Sequence, residues 1–62
     1  MFWDNVDRYK DRKKFTYRDI AKLLNTAETT ISSMRHYGTE PRVSDALKIA
    51  DFIGVDIREL VK

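Results

Sequence analysis

The sequence has few of the residues that make turns, cross-links and metal sites. It contains no cysteine, two glycines, one proline and one histidine among 62 residues. Without cysteine there are no disulfides and no thiolate metal ligands, and one histidine alone does not form a zinc site. Scarce glycine and proline leave few turn positions, which favours a few helices over many short strands. We therefore expect an all-α fold with no metal ion and no cofactor.

The chain also lacks a long hydrophobic segment. No run approaches the roughly 20 apolar residues that span a bilayer, and Met1 is not followed by the basic and apolar segments of a signal peptide. We therefore expect a cytoplasmic protein with no membrane partner. A chain this short buries only about 60% of the surface exposed on unfolding, so residues 1–62 should form one domain with a thin core. The small bulk and the lack of a glycine-rich phosphate loop argue against an enzyme with a small-molecule substrate.

Charge of neither sign dominates the chain. There are 12 Lys and Arg residues against 10 Asp and Glu, which gives a net charge of +2. A composition of 42% hydrophobic and 35% charged residues is typical of a globular domain rather than a disordered tail. The net charge is too small to identify a partner, so the placement of side chains on the helices has to do so.

Apolar spacing and capping residues predict the first two helices. A helix that ends near Lys14 would carry one apolar stripe, formed by Phe2, Trp3, Val6 and Tyr9. The second helix begins after Thr16, which has the spacing of a capping box with Asp19. It is expected to stop at Asn25, a residue type that tolerates the left-handed conformation. The residues expected to be buried on this helix and just before it are Phe15, Ile20, Ala21, Leu23 and Leu24.

The third helix is predicted over residues 28–36, with Ile31 and Met34 facing the core. Gly38 and Pro41 provide the turn that ends it. Its other face carries a run of small hydroxyl side chains, which favours a surface kept for close approach to a partner. These hydroxyl residues are Thr29, Thr30, Ser32 and Ser33.

Two more helices complete the prediction. The fourth ends at Gly54, and its apolar stripe is expected to consist of Val43, Ala46, Leu47, Ala50 and Ile53. A short fifth helix follows, predicted from a second capping box between Asp56 and Glu59 and from a hydrophobic staple between Val55 and Leu60.

The second and third helices form a candidate helix-turn-helix. Close packing of two such helices needs a small residue midway along the first, and Ala21 stands there, ten residues before Ile31. The turn needs a residue that accepts a positive φ, and Asn25 is one. The small core between the two helices is then expected to consist of Ile20, Leu24, Ile31 and Met34.

Over its whole length the chain resembles the phage-repressor and Cro type of helix-turn-helix proteins, also called the XRE type. Residues 16–25, Thr-Tyr-Arg-Asp-Ile-Ala-Lys-Leu-Leu-Asn, are similar to the family's T-Q-x-E-L-A-x-x-x-G. Residues 29–34 are similar to S-x-x-x-I-S-x-W/L, and residues 47–55 to L-x-x-I-A-x-x-L-G-V. The resemblance implies a compact five-helix, repressor-like domain of prokaryotic or phage type that binds double-stranded DNA. Its implied function is sequence-specific transcriptional regulation, as a repressor.

Four positions depart from the family pattern. Tyr17 replaces a Gln at the start of the second helix, and Asn25 replaces the Gly of the turn. Ala27 replaces a Ser that would cap the third helix, and Arg35 stands where an acidic residue is usual. Alanine cannot accept the free amides at a helix start, so the third helix is expected to lack a side-chain cap.

The resemblance places the third helix, about residues 28–36, in the major groove. The base-reading positions then correspond to Glu28, Thr29 and Ser33. Glu28 could accept a hydrogen bond from a cytosine amino group, and Thr29 could bond a base or contact a thymine methyl. Arg42 corresponds to the residue that approaches the minor groove between half-sites. The positions implied to contact phosphate are Lys10, the amide of Tyr17, Thr30, His36, Tyr37 and Thr39.

Most of these assignments have a purely structural alternative. Glu28, near a helix N-terminus, would also complement the helix dipole, and His36 is also an ordinary polar surface residue. The basic run at 12–14 is either a solvated helix end or a sequence-independent phosphate contact. The aromatic residues at helical spacing are expected in the core rather than stacked on bases, and they are Phe2, Trp3, Tyr9 and Phe15.

The sequence leaves other functions open. A module that docks a protein through the third helix would fit the fold, although that helix lacks the apolar or aromatic anchor such docking favours. An antitoxin of a toxin-antitoxin pair usually needs an added segment, and the sequence ends at Lys62. If the chain is the N-terminal part of a longer repressor, a dimerising domain would follow.

Family members commonly read two half-sites about one helical turn apart, so a homodimer on an inverted repeat is expected. A domain of this size has little area to offer, so the dimer should be weak. The apolar surface expected to form it consists of Phe52, Val55, Ile57 and Val61.

Overall fold

The computed structural model describes residues 2–62, which fold as five helices with no strand among them. The helices are α1 (Phe2–Lys13), α2 (Tyr17–Leu23), α3 (Glu28–Tyr37), α4 (Val43–Ile53) and α5 (Arg58–Val61). The all-α prediction and the order of the helices are confirmed, and α3 ends one residue later than predicted. Within residues 2–62 no helix is long and apolar enough to cross a membrane.

The four longer helices all end at a residue in the left-handed region. Lys14 has φ 55°, Asn25 has φ 54°, Gly38 has φ 69° and Gly54 has φ 86°. The amide that follows each of them donates back across the helix end, as in the 2.9 Å bond from Thr26 N–H to the Ala21 carbonyl. This geometry satisfies carbonyls that a helix end otherwise leaves without partners. The predicted stop at Asn25 is confirmed.

The capping box at the start of α2 is present as predicted. The Thr16 hydroxyl accepts from the Asp19 amide at 3.3 Å, and Asp19 Oδ2 accepts from the Thr16 amide at 2.9 Å. The aspartate carboxylate is therefore long enough to complete the return bond. This box fixes the N-terminus of α2 and, with it, the position of Tyr17 beside α1.

The second predicted capping box, between Asp56 and Glu59, is wrong. α5 begins only at Arg58, and its N-cap residue is Ile57 rather than Asp56. The Glu59 amide donates to the Asp56 carbonyl at 2.9 Å and not to the Asp56 side chain. Its Oδ1 instead accepts from the Arg58 amide at 2.9 Å, and both carboxylate oxygens accept from the Arg58 guanidinium at 3.1 Å. These bonds hold the pKa of the Asp56 carboxyl below its ordinary value.

One cluster of buried residues joins all five helices. Tyr9, Leu23, Leu24 and Met34 pack against its edge and are half-buried, so the predicted stripes of the first three helices are broadly confirmed. The buried apolar members are Phe2, Trp3, Val6, Phe15, Ile20, Ala21, Ile31, Ala46, Ile49, Ala50, Ile53 and Leu60.

The buried face of α4 differs from the predicted stripe. Val43 is 77% exposed and Leu47 is 49% exposed, whereas Ile49 is completely buried. Successive helical residues lie about 100° apart, so Leu47 and Ile49 occupy opposite edges of the stripe through Ala46 and Ile53. The helix is turned so that the Ile49 edge faces the core. Phe52, which the sequence assigns to a separate apolar surface, is 45% exposed.

Two side chains of α1 tie distant parts of the chain together. The amide nitrogen of buried Asn5 donates to the Leu60 carbonyl at 2.8 Å and to the Lys62 carbonyl at 3.2 Å. Trp3 Nε1 donates to the Thr39 carbonyl at 2.8 Å. The end of α5 and the loop between α3 and α4 are therefore both fixed to α1.

Candidate nucleic-acid interface

The paired helices α2 and α3 present one side of α3 to solvent. Ala21 and Ile31 are both buried where α2 packs against α3, as the sequence predicts. Leu24 and Met34, which are half-buried, complete the contact beside fully buried Ile20. Because this packing uses the inner side of α3, the hydroxyl residues of the helix stay exposed.

Ala27 is the N-cap of α3 and has extended backbone angles, φ −79° and ψ 149°. It makes no side-chain cap hydrogen bond. Its carbonyl accepts from the Thr30 amide at 3.0 Å and from the Ile31 amide at 3.3 Å. The predicted start of the helix at Glu28 is therefore confirmed, and so is the missing cap.

An open groove of about 260 Å³ lies between the start of α2 and the exposed side of α3. It brings Glu28 and Thr29, two of the three predicted base readers, beside Tyr17. Ser33 is exposed on α3 but does not line this groove. The remaining lining residues are Ser32 and Arg35.

Glu28 has a cationic partner on the neighbouring helix. Arg18 Nε donates to Glu28 Oε2 at 3.3 Å, and both side chains are largely exposed. An exposed pair of this kind contributes about 0–1 kcal/mol, so it leaves the carboxylate free to exchange partners. The carboxylate that the resemblance assigns to base reading is thus partly neutralised in the free protein.

Tyr17 on α2 contacts one side chain from α1 and one from α3. We call these three residues, Asp7, Tyr17 and Arg35, the tyrosine cluster. The Tyr17 hydroxyl donates a hydrogen bond to Asp7 Oδ1. The Arg35 guanidinium carbon lies 3.7 Å from the centre of the Tyr17 ring, and Arg35 Nη2 lies 3.7 Å from Asp7 Oδ1. Lys10 Nζ is 6.0 Å from the same ring. Burial and then the hydrogen bond to Asp7 raise the pKa of Tyr17 well above its ordinary value.

A second groove, of about 400 Å³, lies between the turn after α2, the side of α3 and the loop before α4. It brings together Thr30 and Arg42, predicted contacts to phosphate and to the minor groove. Arg42 is the N-cap residue of α4, and its exposed guanidinium is paired with Asp45 at 3.7 Å. The structure therefore holds this arginine at the rim of a groove rather than against the core.

The predicted phosphate contacts at the end of α3 form a separate group. The rings of His36 and Tyr37 meet edge to face, with centroids 4.8 Å apart, and both side chains are exposed. The carbonyl of Thr39 is occupied by the Trp3 indole, while its amide donates to the Met34 carbonyl at 2.8 Å. Both polar groups of the Thr39 backbone are therefore hydrogen-bonded within the protein.

Sequence reasoning missed several residues of this surface. Arg18 and Asp7 were not predicted there, and Arg35 was noted only as a departure from the family pattern. A signal for Arg35 did exist, because Tyr17 departs from the pattern too, and the two departing residues are in contact. Asp7 gave no comparable signal, since its partners are ten or more residues away.

The comparison with protein families agrees with this geometry. The family model described as "Helix-turn-helix" matches residues 7–60, which include α2, α3, α4 and most of α1. The chain belongs to the helix-turn-helix family of the Cro/C1 type. It is therefore a DNA-binding regulator built on the α2–α3 pair. Comparison with curated proteins and with solved structures gave no match.

Proposed function

We propose that this helix-turn-helix protein binds a specific double-stranded DNA sequence with α3 in the major groove and acts as a transcriptional repressor. The observation that carries the proposal is the exposed side of α3, where Thr29, Ser32 and Ser33 are small and polar and face solvent. Small side chains let a helix approach base edges closely, and an α-helix fits the major groove. We expect the protein to act by binding rather than by catalysis.

The contacts proposed for this complex are those that the family resemblance implies, and some of them line the two grooves. Glu28, Thr29 and Ser33 read bases from α3, and Arg42 approaches the minor groove. Phosphate contacts come from the residues around these positions, namely Lys10, the amide of Tyr17, Thr30, His36, Tyr37 and Thr39. The spread of these groups over α1, the start of α2, α3 and the α3–α4 loop would fix the orientation of α3 in the groove.

Selection of bound duplexes from a random pool tests the proposal. We expect a selected site to bind at least about 10³-fold more tightly than random DNA, with log K falling as log salt rises. Equal affinity for all duplexes, or no binding even at low salt, contradicts it. Binding of a protein instead of DNA would point to the docking or antitoxin roles that the sequence left open.

A further inference from the structure

The most constrained cation on the exposed side of α3 is Arg35. Its guanidinium carbon lies over the Tyr17 ring, 3.7 Å from the ring centre, which is well within the range of a cation–π contact. An arginine stacked in this way has given up much of its rotamer freedom, so it loses less on binding an anion. The Tyr17 ring is itself held, because its hydroxyl is bonded to Asp7 and its edge meets Trp3 with centroids 6.1 Å apart.

Asp7 does not use up the donors of this guanidinium. The distance from Arg35 Nη2 to Asp7 Oδ1 is 3.7 Å, longer than a direct hydrogen bond. The Arg35 side chain is 37% exposed. With five N–H donors, it can therefore bind a further anion without leaving the ring.

Location and charge both favour a phosphate as that anion. Arg35 lines the same groove as Glu28 and Thr29, so it faces the surface proposed to meet DNA. Around Tyr17, the formal charges of Lys10 and Arg35 exceed that of Asp7 by one positive charge. The bidentate geometry of a guanidinium suits phosphate oxygens.

We propose that Arg35, held against Tyr17, binds a phosphate of the DNA backbone, and that Tyr17 and Asp7 position it. This inference rests on the proposed function and adds to it a contact at a position where the family pattern has an acidic residue. Tyr17 thus acts through Arg35 as a positioning residue, in addition to the contact proposed for its backbone amide.

The salt dependence of DNA affinity tests this assignment. A phosphate contact contributes about 0.9 to the slope of log K against log salt, so Arg35→Gln should reduce that slope by about this amount. The affinity should fall on the order of tenfold, equally for selected and random duplexes. Arg58→Gln removes the same charge from α5, outside the α2–α3 pair, and is expected to leave the slope unchanged.

Variants of Tyr17 separate positioning from a merely structural effect. Tyr17→Phe keeps the ring under Arg35 but removes the hydroxyl bond to Asp7 that holds the ring, so we expect a loss of affinity smaller than that of Tyr17→Leu. Tyr17→Leu removes the ring, and we expect weaker binding with a slope between those of wild type and Arg35→Gln. Arg35→Lys, which keeps the charge without the planar fork, should retain the slope with a several-fold loss of affinity. Thermal melts establish that each variant is folded at the temperature of the binding measurement.

Three outcomes would overturn the assignment. If Arg35→Gln keeps the slope and affinity of Arg58→Gln, Arg35 is only structural and the proposed function stands without it. A loss confined to one base pair of the selected site would mean that Arg35 reads a base instead. If the wild type binds no DNA at any salt concentration, the proposed function itself fails and this inference fails with it.

Discussion

At the scale of single residues, Glu28 is the clearest example of a side chain with two interpretations. A carboxylate at the first position of α3 suits the helix dipole, and in the free protein it also pairs with Arg18. Phosphates would repel it at a DNA interface. Keeping it there is most easily explained if a cytosine amino group satisfies it while other bases leave it unpaired.

Glu28→Gln tests these two interpretations. The amide removes the repulsion and prefers adenine, so general affinity should rise while the preference at one base pair of each half-site changes by about 1–3 kcal/mol. Loss of the exposed pair with Arg18 should alter stability by at most about 1 kcal/mol. Duplex selection is the measurement, and Glu40→Gln, which removes an acid from the α3–α4 loop, should raise affinity without changing the site. An unchanged site for Glu28→Gln would leave base reading to Thr29 and Ser33.

Tyr17 makes stability depend on pH in the alkaline range. Burial and the bond to Asp7 raise the pKa of its hydroxyl in the folded protein above the unfolded value near 10. The folded state therefore holds this proton more tightly, and its contribution to stability is complete below about pH 10 and is lost as the pH rises toward the folded pKa.

We expect the free energy of unfolding of the wild type to fall more steeply above pH 10 than that of Tyr17→Phe. Urea unfolding at several pH values measures the free energy of unfolding of each protein. Because both proteins have the same lysines, the difference between the two curves does not contain the lysine titration. Tyr37→Phe, at an exposed tyrosine, is the matched control and should follow the wild-type curve. Parallel curves for wild type and Tyr17→Phe would contradict the role of the tyrosine hydroxyl.

At the scale of helices, the start of α3 is a site where stability can be gained. Ala27 has the backbone angles of an N-cap but no acceptor for the free amides of the first turn. Ala27→Ser supplies that acceptor and should raise the free energy of unfolding by about 1 kcal/mol. Chemical denaturation checks the gain, and Thr26→Ala, one residue before the cap, should change little. An equal stability of Ala27→Ser and wild type would mean that the serine hydroxyl does not reach the helix amides.

The packing of α2 against α3 should be equally sensitive to added volume. Ala21 is buried at their contact, and close-packed interiors do not absorb extra methylenes. Ala21→Leu should destabilise the protein by roughly 1–3 kcal/mol and weaken DNA binding with it. Lys22→Leu introduces the same side chain at the exposed neighbouring position and should change stability by less than about 0.5 kcal/mol. Equal melting temperatures for the two variants would contradict the assigned helix contact.

What the sequence predicts well about these elements is local. The helix end at Asn25 and the capping box of Thr16 follow from residues three or four apart, whose conformational preferences do not depend on the rest of the fold. The prediction for α4 placed Leu47 rather than Ile49 in the core, because the two residues are equally apolar. Only packing against the other helices decides between them.

Only some residues of the candidate surface were predicted from the sequence. Glu28 and Thr29 were assigned to it because the family resemblance places the base-reading positions on α3. The tyrosine cluster was missed because it joins α1, α2 and α3, and no periodicity within one helix reports such a contact. Asn5 was missed for the same reason, since the carbonyl that it bonds most closely is 55 residues away.

At the scale of the whole molecule, α1 connects the other elements. Trp3 bonds the α3–α4 loop, Asn5 bonds the end of α5 and Asp7 bonds α2. The Tyr9 hydroxyl donates to Glu59 Oε1 at 3.4 Å. A domain of this size has a thin core, so these long-range polar contacts help to set how α3 is presented to a partner.

The size of the molecule also limits how it can associate. Phe52 is 45% exposed and Val61 is 54% exposed, whereas Val55 and Ile57 are half-buried. The Phe52 ring already packs edge to face on Phe15, with centroids 5.8 Å apart, so only part of it is available to a second copy. A stable interface buries roughly 800 Å² per partner, so a patch of four partly exposed side chains supports only weak association.

We therefore expect a protein that is mainly monomeric in free solution and pairs on an inverted repeat, where DNA holds two copies about one helical turn apart. Sedimentation should show a monomer without DNA, and Phe52→Glu should reduce the cooperativity of binding to two half-sites while leaving the affinity for one half-site close to wild type. Val43→Glu, at an exposed apolar residue outside this patch, is the control with equal added charge. A tight dimer without DNA would contradict the weak association. A selected site with no inverted repeat would exclude the dimer, because two copies related by a two-fold axis must read the same half-site in opposite directions.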